Sequence, residues 1–126
     1  MRNIAYKLPD LSLARDDAQQ AVIADREAAT VRTLSALANP LRLKILRQLL
    51  DRDSCVSDFV EELDCEQPKV SQHLAVLRDA GLLSCRVEGR RRCYSLRDPQ
   101  RVRAVLGTAA ELAVPAGDAQ EGCLDE

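Results

Sequence analysis

The 126-residue chain has no tryptophan, one phenylalanine and two tyrosines. Its core must therefore be built from Leu, Val, Ile and Ala, and a small aliphatic core is marginal alone, so association into a dimer would help. It has a single histidine, His73. A thiol enzyme would have only Cys55 with His73 to draw on. No glycine-rich phosphate loop or carboxylate cluster supports catalysis either, so no enzyme is expected. No stretch approaches the ~18 apolar residues of a membrane span. Met1 to Asp17 carries charges of both signs and no apolar run, so neither a signal peptide nor a membrane contact is expected, and the expected compartment is the cytoplasm.

What is there is unevenly spread charge. The formal net charge is −2, which looks wrong for a nucleic-acid binder. Between Gln67 and Arg103, however, nine Lys and Arg stand against three acids, a local +6, while Asp51 to Glu66 holds seven acids and one Arg, a local −6. A phosphate backbone responds to the local field rather than to the total. Five cysteines, Cys55, Cys65, Cys85, Cys93 and Cys123, match no zinc ribbon and no CxxC spacing. In a reducing cytoplasm they are expected to be free thiols.

Residues 1–11 read as a flexible N-terminal arm, 12–114 as one folded domain and 115–126 as an acidic, mobile tail. From Ser12 to Ala38 there is no Gly or Pro and much Ala, which predicts a helix with Val31, Leu34 and Ala38 at helical spacing. Asn39-Pro40 ends it, with Asn39 capping the next helix and Pro40 in its first turn. Leu41 to Leu50 is apolar on most sides and belongs at the centre of a core. Ser54 is the expected cap of a short third helix carrying Val56, Phe59, Val60 and Leu63 inward. Pro68 opens a fourth helix, with Val70, Leu74 and Leu77 inward, and Gly81 closes it in a left-handed conformation. From Leu83 the period becomes two, and Glu88-Gly89 reads as the turn of a β-hairpin that runs on to Leu96. Asp98-Pro99 starts a last helix carrying Val102, Val105, Leu106, Ala109 and Leu112. The expected fold is mainly α with a small β-hairpin: a winged helix-turn-helix of five helices and a two-stranded wing.

A recognition helix needs polar side chains at the end that enters the major groove. Gln67, Lys69, Ser71, Gln72 and His73 supply them. Gln72 is the candidate base reader, because an amide bonds an adenine edge bidentately. Lys69 and Ser71 suit phosphate, and Arg90, Arg91 and Arg92 at the wing tip suit phosphate or a neighbouring minor groove. An Arg run in a hairpin can also be a solvated edge that discourages strand pairing. His73, as a lone histidine, is expected to bond phosphate or a neighbouring side chain rather than a metal. The expected partner is double-stranded operator DNA.

The segment from Leu37 to Leu46, LANPLRLKIL, resembles the pattern L-A-[DN]-P-x-R-x-x-I-L of the arsenic-repressor (ArsR/SmtB) family of bacterial regulators. Gln67 to Leu74, QPKVSQHL, is similar to its recognition helix Q-P-x-[IV]-S-x-H-L. Leu77 to Leu83, with Glu88-Gly89-Arg90 and Tyr94, resembles its helix exit and wing. The match runs from about Thr33 to Leu96. The resemblance implies a homodimer built from the first and last helices, and a repressor that leaves its operator when an effector binds.

The family's effector positions are poorly matched. Its Cys-Val-Cys-Asp motif on the third helix is here Cys55-Val56-Ser57-Asp58, and a further cysteine used by some arsenic sensors would fall at Val60. A zinc-type site on the last helix finds only Glu111, and a dithiol between the second and last helices finds no cysteine. The remaining thiols offer Cys55, Cys85 and Cys93 as candidate ligands. One wing register faces Cys85 with Cys93, a pair able to take As(III), Cd(II) or another thiophilic ion or to form a disulfide. A two-residue Glu88-Gly89 loop would offset them. Redox or persulfide sensing, or no effector at all with the cysteines as small hydrophobes, are the alternatives.

Overall fold

The computed structural model describes residues 17–113. In chain order the elements are α1 (Asp17–Leu37), α2 (Pro40–Asp51), β1 (Ser54–Cys55), α3 (Val56–Leu63), α4 (Gln67–Asp79), β2 (Leu83–Glu88), β3 (Arg91–Leu96) and α5 (Pro99–Leu112). The expected arm at 1–11, the tail at 115–126 and Cys123 lie outside the described residues.

Asn39 breaks the chain between α1 and α2 as its side chain predicts. Its backbone is extended, and its Oδ1 accepts from the N–H of Leu41 at 2.9 Å and of Arg42 at 3.1 Å. Such a cap is worth about 1 kcal/mol. Pro40 fills the first helical position, where a missing N–H is no loss. Ile45, Leu46 and Leu49 are buried, and α2 packs against α1, α4, α5 and β3. It is the central helix that its Leu-rich surface requires.

Ser54 is not the cap of α3. Ser54 and Cys55 form a short strand that pairs antiparallel with β3, Ser54 opposite Tyr94 and Cys55 opposite Cys93. The Ser54 hydroxyl accepts from Gln48 Nε2 at 3.1 Å and donates to the Arg52 carbonyl at 3.3 Å, so it faces away from the helix it was expected to start. Cys55 precedes the helix instead, and its backbone N–H donates to Asp58 Oδ2 at 2.8 Å. The wing is thus part of a three-stranded sheet in the order β1-β3-β2.

Phe59 of α3 and Val70, Leu74 and Leu77 of α4 are fully buried and form one cluster with α2, Leu83, Tyr94, Leu96 and Val102. After α4, Gly81 takes φ +84°, and the Leu82 N–H donates to the Leu77 carbonyl at 3.1 Å, which closes the helix with a left-handed residue. The β2–β3 register pairs Leu83 with Leu96, Cys85 with Tyr94, Arg86 with Cys93 and Glu88 with Arg91. The turn is therefore Gly89-Arg90, with Gly89 at φ +66° in its first central position, the arrangement of a type II′ turn.

On α1 only Ala36 and Leu37 are buried; Val22, Val31 and Leu34 are more than half exposed. On α5 only Val102 is buried, while Val105 and Leu112 are exposed. Among the described residues, the apolar stripes of the first and last helices are mostly left uncovered.

Candidate nucleic-acid interface

The start of α4 is fixed by Pro68 in its first turn and by the buried Val70 and Leu74. That anchoring leaves Gln67, Lys69, Ser71 and Gln72 exposed on the helix surface, as their spacing predicts. His73 is half-buried. Arg42 Nη1 donates to His73 Nδ1 at 3.0 Å, so the ring is neutral with its proton on Nε2. Partial burial first, then the charges of Arg42 and Lys69, hold the imidazole below its usual 6.5. Of the five polar residues placed at this helix end, His73 is the one tied inward, and only its Nε2–H remains to donate outward.

The wing presents Arg90, Arg91 and Arg92, all exposed. They are not equivalent. Arg91 Nη2 lies 3.8 Å from Asp58 Oδ1 and 3.5 Å from Ser57 Oγ on α3. Among the described residues Arg90 and Arg92 make no ion pair. Arg86, on the same hairpin, is occupied by Glu88 at 2.6 Å and Asp53 at 3.8 Å. A cleft of about 450 Å³ opens between α3, the start of α4 and the wing, and its walls include Cys55, Gln67, Ser71, Arg78, Arg90 and Arg92. The recognition-helix candidates and the wing cations thus line one basic concavity.

Cys55 and Cys93, separated by 38 residues, are joined as a disulfide. This corrects the expectation of free thiols throughout, and the cause is the β1–β3 ladder, which sets the two residues directly opposite each other. Cys65 and Cys85 are free and half-buried. Cys85 does not face Cys93, as one of the two expected registers had it: it lies opposite Tyr94, and the period of two puts it on the other face of the sheet. Burial, then the Cys85 thiol, pushes the Tyr94 phenol above its usual 10.0. Among the described residues no group of three or more His, Cys, Asp or Glu could hold a metal ion, so the set Cys55, Cys85 and Cys93 is not gathered into one site.

Three contributors escaped the sequence reading. Arg42 was visible in the motif after Asn39-Pro40 without a role. Arg78 enters the cleft from the last turn of α4. Asp58 both holds the N-terminus of α3 and pairs with Arg91; an acid three residues after a helix start was the available signal.

Residues 39–84 match the family model described as bacterial regulatory protein, arsR family. The chain is 38% identical over 94 residues to the probable mercury resistance operon repressor of Streptomyces lividans, covering 75% of this chain and 74% of that one. It belongs to the arsR family of bacterial regulatory proteins. It is also 37% identical over 101 residues to the transcriptional regulator CmtR of Mycobacterium bovis, covering 80% of this chain and 84% of that protein. Among solved structures, HlyU from Vibrio cholerae superposes with a TM-score of 0.60 at 35% identity, over 67% of this chain and 94% of that one. A homodimeric winged helix-turn-helix DNA-binding domain from Mycobacterium bovis superposes at 0.65 and 28%, over 79% and 91%. As an arsR-family member the chain is a DNA-binding transcriptional regulator with a winged helix-turn-helix, and the family is one of regulators rather than enzymes. Among the described residues no helix is long and apolar enough to cross a membrane.

Proposed function

We propose that this arsR-family regulator is a cytoplasmic, homodimeric repressor that reads a specific operator and releases it when an effector acts on its thiols. The observation that carries DNA reading is the shared basic concavity: Gln67 and Ser71 of α4 line it together with Arg90 and Arg92 of the wing. In this reading Gln72 contacts base edges, Lys69 and Ser71 contact phosphate, His73 offers its Nε2–H, and Arg90, Arg91 and Arg92 grip the backbone beside them. Dimerisation is supported by the uncovered Val22, Val31 and Leu34 on α1 and Leu112 on α5, and by the homodimeric domain of similar fold. A dimer calls for a pseudo-palindromic operator with half-sites about one helical turn, roughly 34 Å, apart.

For the effector, the mercury resistance repressor among the relatives speaks for a thiophilic ion, as As(III) or Cd(II) would be. The donor sets of a trigonal metalloid or a tetrahedral ion are not found among the described residues. The bonded Cys55–Cys93 pair favours a second reading, redox control. The test is selection of operator sequences from random duplex DNA by the reduced protein, followed by titration at several salt concentrations. Tight binding that falls steeply with salt is expected from counterion release. Salt-insensitive or absent binding would remove the repressor reading. Adding arsenite, cadmium or peroxide to the preformed complex then identifies the effector class.

A further inference from the structure

We propose that Cys55 and Cys93 form a thiol–disulfide switch closed by a hydroperoxide, and that closure holds Arg91 back from DNA. The proposal rests on the repressor reading above and deepens it.

The two cysteines stand opposite each other across β1 and β3. Two residues before Cys93, Arg91 shares its face of β3. Arg91 reaches back to Asp58 Oδ1 at 3.8 Å and Ser57 Oγ at 3.5 Å, and Asp58 Oδ2 in turn accepts from the Cys55 backbone N–H at 2.8 Å. Disulfide, ion pair and helix-start hydrogen bond therefore make one closed circuit that joins the wing to the first helix of the helix-turn-helix. Opposite Arg91 on β2 stands Glu88, which is engaged by Arg86 at 2.6 Å, and Asp53, just before β1, lies 3.8 Å from the same Arg86.

Access differs between the two sulfurs. Cys55 lines the basic cleft together with Arg90, Arg91 and Arg92 and sits at the start of α3. Cys93 is the more deeply buried and is not among the residues that line the cleft. Cys55 is accordingly the attacking sulfur. Its thiolate attacks the terminal oxygen of the hydroperoxide; an S–O bond forms, the O–O bond breaks, and an alcohol or water leaves after taking a proton. Cys93 sulfur then attacks the Cys55 sulfenic acid; the S–S bond forms, the S–O bond breaks, and water leaves with the Cys93 proton. Two thiols and one hydroperoxide give one disulfide, one alcohol or water, and one water.

Bonded sulfurs lie about 2 Å apart, whereas non-bonded heavy atoms need roughly 3.5–4 Å. Reduction therefore pushes this face of β3 away from β1 and loosens the Arg91–Asp58 contact, freeing a cation for phosphate. Oxidation draws Arg91 onto Asp58 and removes it.

The test uses the full chain and the operator selected above, with dithiol-reduced and hydrogen-peroxide-treated protein compared by fluorescence anisotropy across salt. Peroxide is expected to remove two hydrogens from the mass, with the link mapped to Cys55 and Cys93. It is expected to weaken operator binding on the order of tenfold and to lower the salt slope by about 1 per subunit, all reversed by dithiol. Cys55→Ser and Cys93→Ser should each show the same affinity and salt slope with and without peroxide, while Cys85→Ser stays responsive. Equal affinity and slope in both redox forms, a link that does not join Cys55 to Cys93, or loss of the response in Cys85→Ser would overturn the switch. Failure of the underlying reading is distinct: the reduced protein would then show no salt-sensitive binding at all.

Discussion

Arg42 ties the central helix to the recognition helix through a 3.0 Å hydrogen bond from its Nη1 to His73 Nδ1. The same guanidinium donates from Nε to the Ala36 carbonyl at 2.7 Å and from Nη2 to the Ser35 carbonyl at 3.2 Å. One planar fork thus joins the end of α1, the start of α2 and the helix proposed to read bases. Only a neutral His73 can accept this bond, because protonation would set two cations against each other.

Stability should therefore depend on the charge of His73. Its pKa is lowered in the folded protein, so the unfolded chain takes up the proton first. The contribution is complete above the unfolded value near 6.5, and is lost as pH falls from there through the lower folded value. Urea midpoints at about pH 7.5 and about pH 5.5 should show a larger drop for the wild type than for His73→Gln, which retains an acceptor for Arg42 but no titration. Equal drops would remove His73 from the acid response.

Gln72→Ala should weaken binding to the selected operator by about 1–3 kcal/mol, the worth of a bidentate base contact, and leave random-duplex binding nearly unchanged. Equal losses on both DNAs would make Gln72 a backbone contact or a bystander.

Arg90 and Arg92, which have no acidic partner among the described residues, should act differently. The double replacement Arg90→Ala, Arg92→Ala is expected to weaken operator and random DNA together. It should also flatten the log–log salt slope by about 2 per subunit, roughly 0.9 for each phosphate no longer neutralised. An unchanged slope would place the wing outside the interface.

Val31 and Leu34, 59% and 55% exposed on α1, should sit in the dimer contact. Val31→Asp with Leu34→Asp is expected to give a monomer in sedimentation equilibrium and to lose operator affinity far more than random-DNA affinity. Neither side chain is buried among the described residues, so the monomer should keep its helical signal. A variant that remains dimeric would point to another surface.

The parts of the fold set by local chemistry were legible in the sequence. Asn39 acts through its own side chain and Pro40, Pro68 and Gly81 through their own backbone, and the structure places them where that chemistry puts them. Long-range pairing was not legible. Ser54 has the composition of a helix cap, and only the partner strand, some forty residues away, explains why it is a strand instead. The expected wing registers either set Cys85 opposite Cys93 or closed on a two-residue Glu88-Gly89 turn; the turn falls at Gly89-Arg90 instead, and a one-residue shift changes every cross-strand neighbour. The candidate reading residues of α4 followed from helical spacing around Val70 and Leu74. The meeting of Cys55 with Cys93, and the attachment of Arg91 to Asp58, depend on that same unread strand.

The cleft that Cys55 lines is walled also by Gln67, Ser71, Arg78 and Arg90, side chains that the proposed interface sets beside the duplex. Under that interface the operator itself becomes the lid over the thiol. Whatever factor oxidation takes from operator affinity, the operator must take from the tendency of the pair to oxidise. Repression would then protect its own agent, and the cell's response time would be set by how often the regulator lets go of its site, not by how fast peroxide reacts with sulfur.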